Sequence, residues 1–123
     1  VSRILDPYLT EVCSTSTKVA RTPIDSATAS SLYSLKQTAV AEGTGTSAQG
    51  SGVQVAGKTG TAETGTDSGP TTWFVGFAGT DIDKPEIALA VVLDGNAETA
   101  DGATGGKIAG PVAAQVIDAA VNQ

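Results

Sequence analysis

The chain has no histidine and only one cysteine, Cys13, among its 123 residues. These residues therefore cannot form a Ser-His-Asp triad, a Cys-His pair or an imidazole metal site. A single cysteine also excludes an intramolecular disulfide and a cysteine zinc site. Acid–base chemistry near neutral pH must then use lysine, carboxylate or hydroxyl groups, or groups that lie outside this chain.

Basic residues are also scarce, because seven Lys and Arg stand against 13 Asp and Glu, for a formal net charge of -6. Nucleic-acid binding needs a basic footprint that displaces counterions, and this composition lacks one. No apolar run approaches the roughly 20 residues that span a bilayer. The chain starts Val1-Ser2-Arg3 without Met or a secretion signal, so we expect the interior of a longer polypeptide.

The order of apolar patterns predicts the fold class. Aromatics make up only 4% of the residues, so we expect a core of Ala, Val, Ile and Leu. The predicted elements are a strand hairpin at 7–20, a helix at 22–43, strands at 53–62, 72–78 and 86–93, and a helix at 107–121. Short loops favour antiparallel pairing. We predict an α+β fold, an antiparallel sheet flanked by helices.

Two of these elements carry a more specific prediction. The strand at 86–93 is apolar enough to be buried on both faces. The last helix repeats apolar residues at a spacing of four, which predicts its buried stripe: Ile108, Val112, Val116 and Ala120, widened by Ala113 and Ile117. Pro111 is compatible with this helix only in the first turn.

The segment GVQVAGKTG, at 52–60, fits two incompatible motifs. Gly52 to Thr59 reads G-x-x-x-x-G-K-T, the phosphate-binding loop of NTPases. The triplet at 58–60 reads K-T-G, which occurs in penicillin-binding proteins and serine β-lactamases. A phosphate loop follows a strand and opens a helix. Here a Gly-rich loop precedes the motif and the motif itself alternates like a strand, which favours K-T-G.

The K-T-G interpretation gives its residues a role in acyl transfer by a serine that works without histidine. The Lys58 ammonium is a compact point charge that can hold a carboxylate or favour proton movement toward a leaving nitrogen. Flanking hydroxyls can bond the same carboxylate, and Gly60 leaves room for a ligand against the strand. A backbone N–H just after that glycine can donate to an oxyanion. An ordinary exposed strand with a lysine on it is the simpler alternative.

The surroundings of K-T-G resemble one family. The matching segments are VAEGTGTSA at 40–48, GKTGTAE at 57–63, TTWFVGFAG at 71–79 and GGKIAGPVAAQVI at 105–117. Together they resemble the C-terminal part of the transpeptidase domain of penicillin-binding proteins, over about residues 22–121. The pattern is similar to the monofunctional class B enzymes, and within them to the penicillin-binding protein A group.

The resemblance implies a peptidoglycan D,D-transpeptidase that needs no cofactor and is anchored on the extracytoplasmic side of the cell membrane. Its partners would be stem peptides ending in D-Ala-D-Ala, and β-lactams. Lys58 would position a serine of an S-x-N triplet and the substrate carboxylate. Thr59 and Thr61 would offer hydroxyls to that carboxylate, Gly60 would give backbone clearance, and the Thr61 N–H would form half of the oxyanion hole. Trp73 would pack beside this strand, although a plain core aromatic is the favoured alternative.

The chain departs from the family pattern in one respect. It contains no S-x-x-K and no S-x-N, which carry the nucleophile, its lysine and a second serine. We therefore expect residues 1–123 to be the C-terminal fragment of a transpeptidase domain, inactive alone, with the other triplets in an N-terminal part of the same protein. A serine β-lactamase, a D,D-carboxypeptidase and a β-lactam sensor domain remain open, as do an NTPase and a plain α+β binding module.

Overall fold

A computed structural model describes residues 3–16, 18–19, 21–50, 52–65, 69–81, 84–95 and 102–121. Its elements are β1 (Arg3–Leu5), β2 (Glu11–Ser14), α1 (Ser26–Ala41), a 3₁₀ turn (Thr46–Ala48), β3 (Gln54–Ala62), β4 (Thr71–Gly79), β5 (Ile87–Leu93) and α2 (Ala109–Val121). An antiparallel sheet runs in the order β3-β4-β5, and β1 and β2 form a separate antiparallel ribbon. The predicted α+β fold, an antiparallel sheet flanked by helices, is confirmed.

Helix α1 begins at a side-chain cap and ends at a tight glycine turn. The Asp25 carboxylate accepts a hydrogen bond from the Thr28 backbone N–H at 2.7 Å, which satisfies an N–H that the helix leaves unpaired. At the other end, the Gly45 N–H donates to the Ala39 carbonyl at 3.0 Å. The predicted range of 22–43 was too long at both ends. The capping bond starts the helix only after Asp25, and the helix ends at Ala41, with Glu42 as its C-cap.

The core lies on one face of the sheet, under α2. Phe74 is fully buried, and a Cβ on Gly57 or Gly76 would run into its ring, so these two directly paired glycines make the space for it. The core cluster joins both helices to the sheet: Val40, Ala48, Val55, Phe74, Ala78, Ala109, Ala113 and Ile117. Successive strand residues point to opposite faces. Phe77 therefore lies on the other face, where its ring is 4.4 Å from that of Tyr33 in α1.

One prediction about burial was wrong, and a second was wrong in part. Strand β5 alternates between half-buried and exposed residues, so it is buried on one face only, because it forms one edge of the sheet and α2 packs on a single side. In α2 the predicted stripe is confirmed for Ala113 and Ile117, which are buried, and wrong for Val112 and Val116, which are 37% and 43% exposed. Each valine directly precedes one of the two buried residues, so it turns outward when that residue faces the sheet.

The N-terminal hairpin differs in position from its prediction. The second strand of the hairpin predicted at 7–20 was expected at 18–20, but β2 pairs with β1 instead. Lys18 and Val19 lie outside any strand, and Ala20 lies outside the described residues. Pro111 occupies the first turn of α2, as its chemistry requires.

Candidate functional site

A cleft of about 420 Å³ lies beside β3 at the K-T-G segment. Three parts of the chain line it: β3, the loop after α1 and the Gly-rich loop before α2. The lining residues are Thr44, Thr46, Ser47, Thr59, Thr61, Thr104, Gly105, Gly106 and Lys107. Six of these carry hydroxyls and one carries an ammonium, and the described lining residues include no carboxylate. The cleft therefore suits a ligand that accepts hydrogen bonds.

Thr59 and Thr61 present their side chains to the same side of β3, because they are two residues apart on a strand. The Thr59 hydroxyl lies 2.7 Å from that of Thr44, and only 9% of Thr59 is exposed. The Thr61 hydroxyl accepts a hydrogen bond from the Gly105 backbone N–H at 3.2 Å. Each predicted hydroxyl is thus held by a partner from a different loop.

The loop before α2 rests directly on the backbone of β3. A Cβ built on Gly105 would lie 2.5 Å from the Gly60 carbonyl oxygen and 2.9 Å from the Gly60 nitrogen, and closer still to the Trp73 carbonyl oxygen. No real side chain tolerates such distances, so only glycine allows this approach. Gly105 can then bring its N–H to Thr61.

The same loop is fastened to the loop after α1. The Ser47 hydroxyl donates to the Gly106 carbonyl, and a Cβ on Gly106 would overlap the Thr44 carbonyl oxygen. A Cβ on Gly110, in the first turn of α2, would overlap the Ser47 hydroxyl. The two loops and β3 therefore form one continuous wall around the cleft.

Lys58 lies on the opposite face of β3 from the two threonines. Its side chain is exposed and its Nζ donates to the Thr59 carbonyl at 2.5 Å. Lys58 is not one of the residues that line the cleft. The structure thus brings Thr59, Thr61 and the Gly60 backbone together, and the part of Lys58 in the site stays a prediction.

Trp73 pairs with Gly60 across the β3–β4 ladder. A Cβ on Gly60 would lie 3.3 Å from the Trp73 Cβ, which is a tight contact. The expected position of Trp73 beside the K-T-G strand is confirmed. Its assignment to the core was wrong, since it is 38% exposed and alternates with the buried Phe74.

Strand β3 is an edge of the three-stranded sheet, paired with β4 on one side only. In the described part of the chain, no strand pairs with its other side. Alternate residues of such a strand direct N–H and C=O groups outward, where an extended peptide can pair with them. The oxyanion role of the Thr61 N–H stays a prediction. The phosphate-loop alternative is wrong, because β3 continues through Thr59 to Ala62, where a phosphate loop would open a helix.

The sequence prediction missed Thr44, Ser47 and Gly105. Their signals were the hydroxyl-rich GTGTS at 43–47 and the consecutive glycines at 105–106. These signals indicate a loop, but they do not say which strand the loop touches.

Metal-binding clusters and membrane-spanning helices are absent from the residues that the structure describes. Within those ranges, no three or more Cys, Asp or Glu side chains gather as a metal ion would require. None of the described helices combines the length and the apolar character needed to cross a bilayer.

Comparison with known proteins gives a consistent result. The family model of the penicillin-binding protein transpeptidase domain matches residues 2–118. The peptidoglycan D,D-transpeptidase PbpA of Mycobacterium tuberculosis is 44% identical over 73 residues, which cover 57% of this chain and 14% of that protein. PbpA of Mycolicibacterium smegmatis is 40% identical over 75 residues, 58% of this chain and 15% of that protein.

Solved structures of the same family resemble this chain as well. A ceftriaxone acyl-enzyme complex of penicillin-binding protein A from M. tuberculosis has a TM-score of 0.73 and 34% identity, over 97% of this chain and 26% of that one. A D,D-transpeptidase domain of a peptidoglycan glycosyltransferase from Eggerthella lenta has a TM-score of 0.69 and 28% identity, over 96% of this chain and 26% of that one. The chain thus spans between 14% and 26% of the length of these relatives. It belongs to the penicillin-binding protein transpeptidase family, in the class B, penicillin-binding protein A group.

Proposed function

We propose that this chain supplies the K-T-G wall of a peptidoglycan D,D-transpeptidase. The enzyme would cross-link stem peptides through an acyl-serine intermediate, and β-lactams would acylate the same serine. The observation that carries the proposal is the pair of threonine hydroxyls, Thr59 and Thr61, that line one cleft beside an edge strand. Family membership and an acyl-enzyme complex of a relative with ceftriaxone support it.

The two hydroxyls suit the terminal carboxylate of a D-Ala-D-Ala peptide or of a β-lactam. Hydrogen bonds to an ionised acceptor are roughly twice as strong as those between neutral groups. Thr59 and Thr61 stand on one side of the strand, so both can reach one bound carboxylate. The cleft supports this role because its described lining has hydroxyls and the Lys107 ammonium but no competing carboxylate.

Lys58 would act from the strand edge. Its Nζ now donates to the Thr59 carbonyl at 2.5 Å, and a lysine side chain turns readily about its four-carbon stem. In the complete site the ammonium would move to the substrate carboxylate or to the serine of an S-x-N triplet. The Thr61 N–H would donate to the oxyanion that forms when the serine attacks, and Gly60 would leave clearance for the peptide.

The nucleophile would come from a part of the protein outside these residues. The sequence contains neither S-x-x-K nor S-x-N. We therefore place both triplets in an N-terminal portion of the same polypeptide. This portion would also anchor the enzyme on the extracytoplasmic side of the cell membrane. On this view the 123-residue chain is inactive alone.

Labelling with a fluorescent penicillin tests the proposal. The full-length polypeptide should be acylated on a serine outside residues 1–123. Residues 1–123 alone should not be labelled. Lys58→Ala should slow acylation about 10- to 150-fold, the loss of one hydrogen bond to a charged group. Lys36→Ala is the matched control, because the Lys36 ammonium lies over the Phe77 ring, 5.8 Å from its centroid, and is not among the cleft-lining residues.

Other labelling results would refute the proposal or indicate another class of penicillin-binding enzyme. Labelling of the isolated chain would refute the external nucleophile, and a native polypeptide that never labels would refute the function. Rapid release of the label would indicate a serine β-lactamase. Transfer of the acyl group to water in place of an amine would indicate a D,D-carboxypeptidase. A stable label without any turnover of peptide would indicate a sensor domain.

A further inference from the structure

We infer that Thr44 and the Gly105 N–H are positioning groups that turn the Thr59 and Thr61 hydroxyls into donors toward a carboxylate in the cleft. The inference rests on the proposed function and extends it to residues outside the K-T-G strand. Its basis is the direction of two hydrogen bonds, one of which is fixed by chemistry.

The fixed bond is the one to Thr61. A backbone N–H can only donate, so the Thr61 oxygen must be the acceptor in its 3.2 Å bond with Gly105. A hydroxyl has one proton and two lone pairs. With a lone pair occupied by Gly105, the single proton of Thr61 is left for a group that accepts. An anion in the cleft is such a group.

The bond between Thr44 and Thr59 can run in either direction, and a ligand selects one. If Thr59 donates to Thr44, it presents only lone pairs to the cleft, and these repel an anion. If Thr44 donates to Thr59, the Thr59 proton is free to bond a carboxylate. At 2.7 Å the two oxygens are at an ordinary O–H···O distance, so the pair can hold either arrangement. Thr44 thus allows Thr59 to donate without losing its own partner.

Thr44 is well held for this purpose. The Gly106 backbone lies against the Thr44 carbonyl so closely that a Cβ there would overlap it, and Gly106 is fixed in turn by the Ser47 hydroxyl. The neighbouring Gly45 N–H ties the loop to the end of α1 through the Ala39 carbonyl, at 3.0 Å. The Thr44 hydroxyl therefore meets Thr59 from a fixed backbone, so little side-chain entropy is lost when a ligand binds.

The test compares two ligands that differ only at the carboxylate. The second-order rate constant of acylation is measured for benzylpenicillin and for its methyl ester, which lacks the carboxylate, on the native polypeptide. Thr44→Val removes the hydroxyl and keeps the shape. It should lower the benzylpenicillin rate about three- to tenfold, the net value of one hydrogen bond, and change the ester rate less than twofold. Thr44→Ser keeps the hydroxyl and should restore most of the benzylpenicillin rate.

Thr38→Val is the matched control. Thr38 is an exposed α1 residue whose hydroxyl donates to the Ser34 carbonyl at 3.1 Å, outside the cleft. It undergoes the same chemical change and should leave both rates unchanged. If Thr44→Val lowers the melting temperature, Thr44→Ala, which adds no bulk, is measured with the same two ligands.

Three results would count against this reasoning. An unchanged benzylpenicillin rate in Thr44→Val would overturn the inference. An equal loss for both ligands would also overturn it, because it would show that Thr44 only supports the fold. In both cases the wild-type protein is still acylated, so the proposed function stands. A wild-type protein that benzylpenicillin never acylates would overturn the proposed function, and the inference with it.

Discussion

Replacing Gly105 by alanine tests whether the loop before α2 truly rests on the backbone of β3. The new Cβ would lie 2.5 Å from the Gly60 carbonyl oxygen and 2.9 Å from its nitrogen. Non-bonded heavy atoms reach their optimum at about 3.5–4.0 Å. The obstructing atoms belong to two paired strands, so they cannot turn aside like the end of a flexible side chain. The loop itself must move by roughly 1 Å.

That movement has a calculable cost. A displacement of this size takes the Gly105 N–H out of hydrogen-bond range of Thr61, since the bond is already 3.2 Å long. Forcing extra volume into a packed site costs about 1–3 kcal/mol. Losing the hydrogen bond adds about 1 kcal/mol. We expect Gly105→Ala to lower the local stability of this wall by about 2–4 kcal/mol, which is roughly a 30- to 700-fold change in an opening equilibrium.

Hydrogen–deuterium exchange on the native polypeptide measures this change, because it reports opening free energies segment by segment. Peptides that cover β3 and the loop before α2 should exchange faster by that factor, whereas β1 and β2 should not. Gly102→Ala is the control in the same loop. Gly102 has a φ of +71°, but the nearest atom to its Cβ is the Lys107 ammonium at 3.6 Å. It should cost only the strain of a left-handed alanine, about 1–2 kcal/mol. If Gly105→Ala exchanges no faster than Gly102→Ala, the close approach is wrong.

Two further predictions concern the core and the cap of α1. Phe74→Ala should lower the free energy of unfolding by about 3–5 kcal/mol, because Phe74 is fully buried. Phe77→Ala, on the half-buried face, should lower it by clearly less. Equal losses in urea denaturation would contradict the assignment of the core face. The backbone N–H of Thr28 holds the pKa of Asp25 below its ordinary value. The stability from this cap is therefore complete above the ordinary pKa and is lost as pH falls through the lowered one. As pH falls below the ordinary pKa of an aspartate, the wild-type melting temperature should therefore fall more steeply than that of Asp25→Asn, which caps without titrating. Parallel curves would refute this.

The elements of the fold could be predicted because each depends on its own residues. Strand β3 alternates, α1 begins with a capping aspartate, and Pro111 marks the first turn of α2. Which side of an element faces the core is a different matter, because it depends on what packs against it. In α2 the valines repeat at a regular spacing of four, yet Ala113 and Ile117 are the residues that pack in the core cluster with Phe74.

At the site, too, the features set by local sequence could be predicted and those set by packing could not. Lys58, Thr59 and Thr61 follow one another in the chain, so a three-letter motif was enough to indicate them. Thr44 and Gly105 lie 15 and 44 residues away from the threonines that they contact. Nothing local specifies such a pairing. It follows from the position of two loops that only the packed sheet and helices determine.

Glycines let the backbone segments around the cleft approach one another closely. A wall that offers several hydroxyls and backbone N–H groups to one ligand must bring three segments within hydrogen-bond distance of each other. A Cβ on Gly105, Gly106 or Gly110 would overlap the neighbouring segment, so any bulkier residue there would push the segments apart. Three of the 15 glycines meet this requirement at the cleft, and two others, Gly57 and Gly76, leave the space for the buried Phe74. Substitutions that enlarge Gly105, Gly106 or Gly110 should therefore impair the cleft before they unfold the core, because the atoms nearest to a Cβ at these positions do not belong to the side chains of the core cluster.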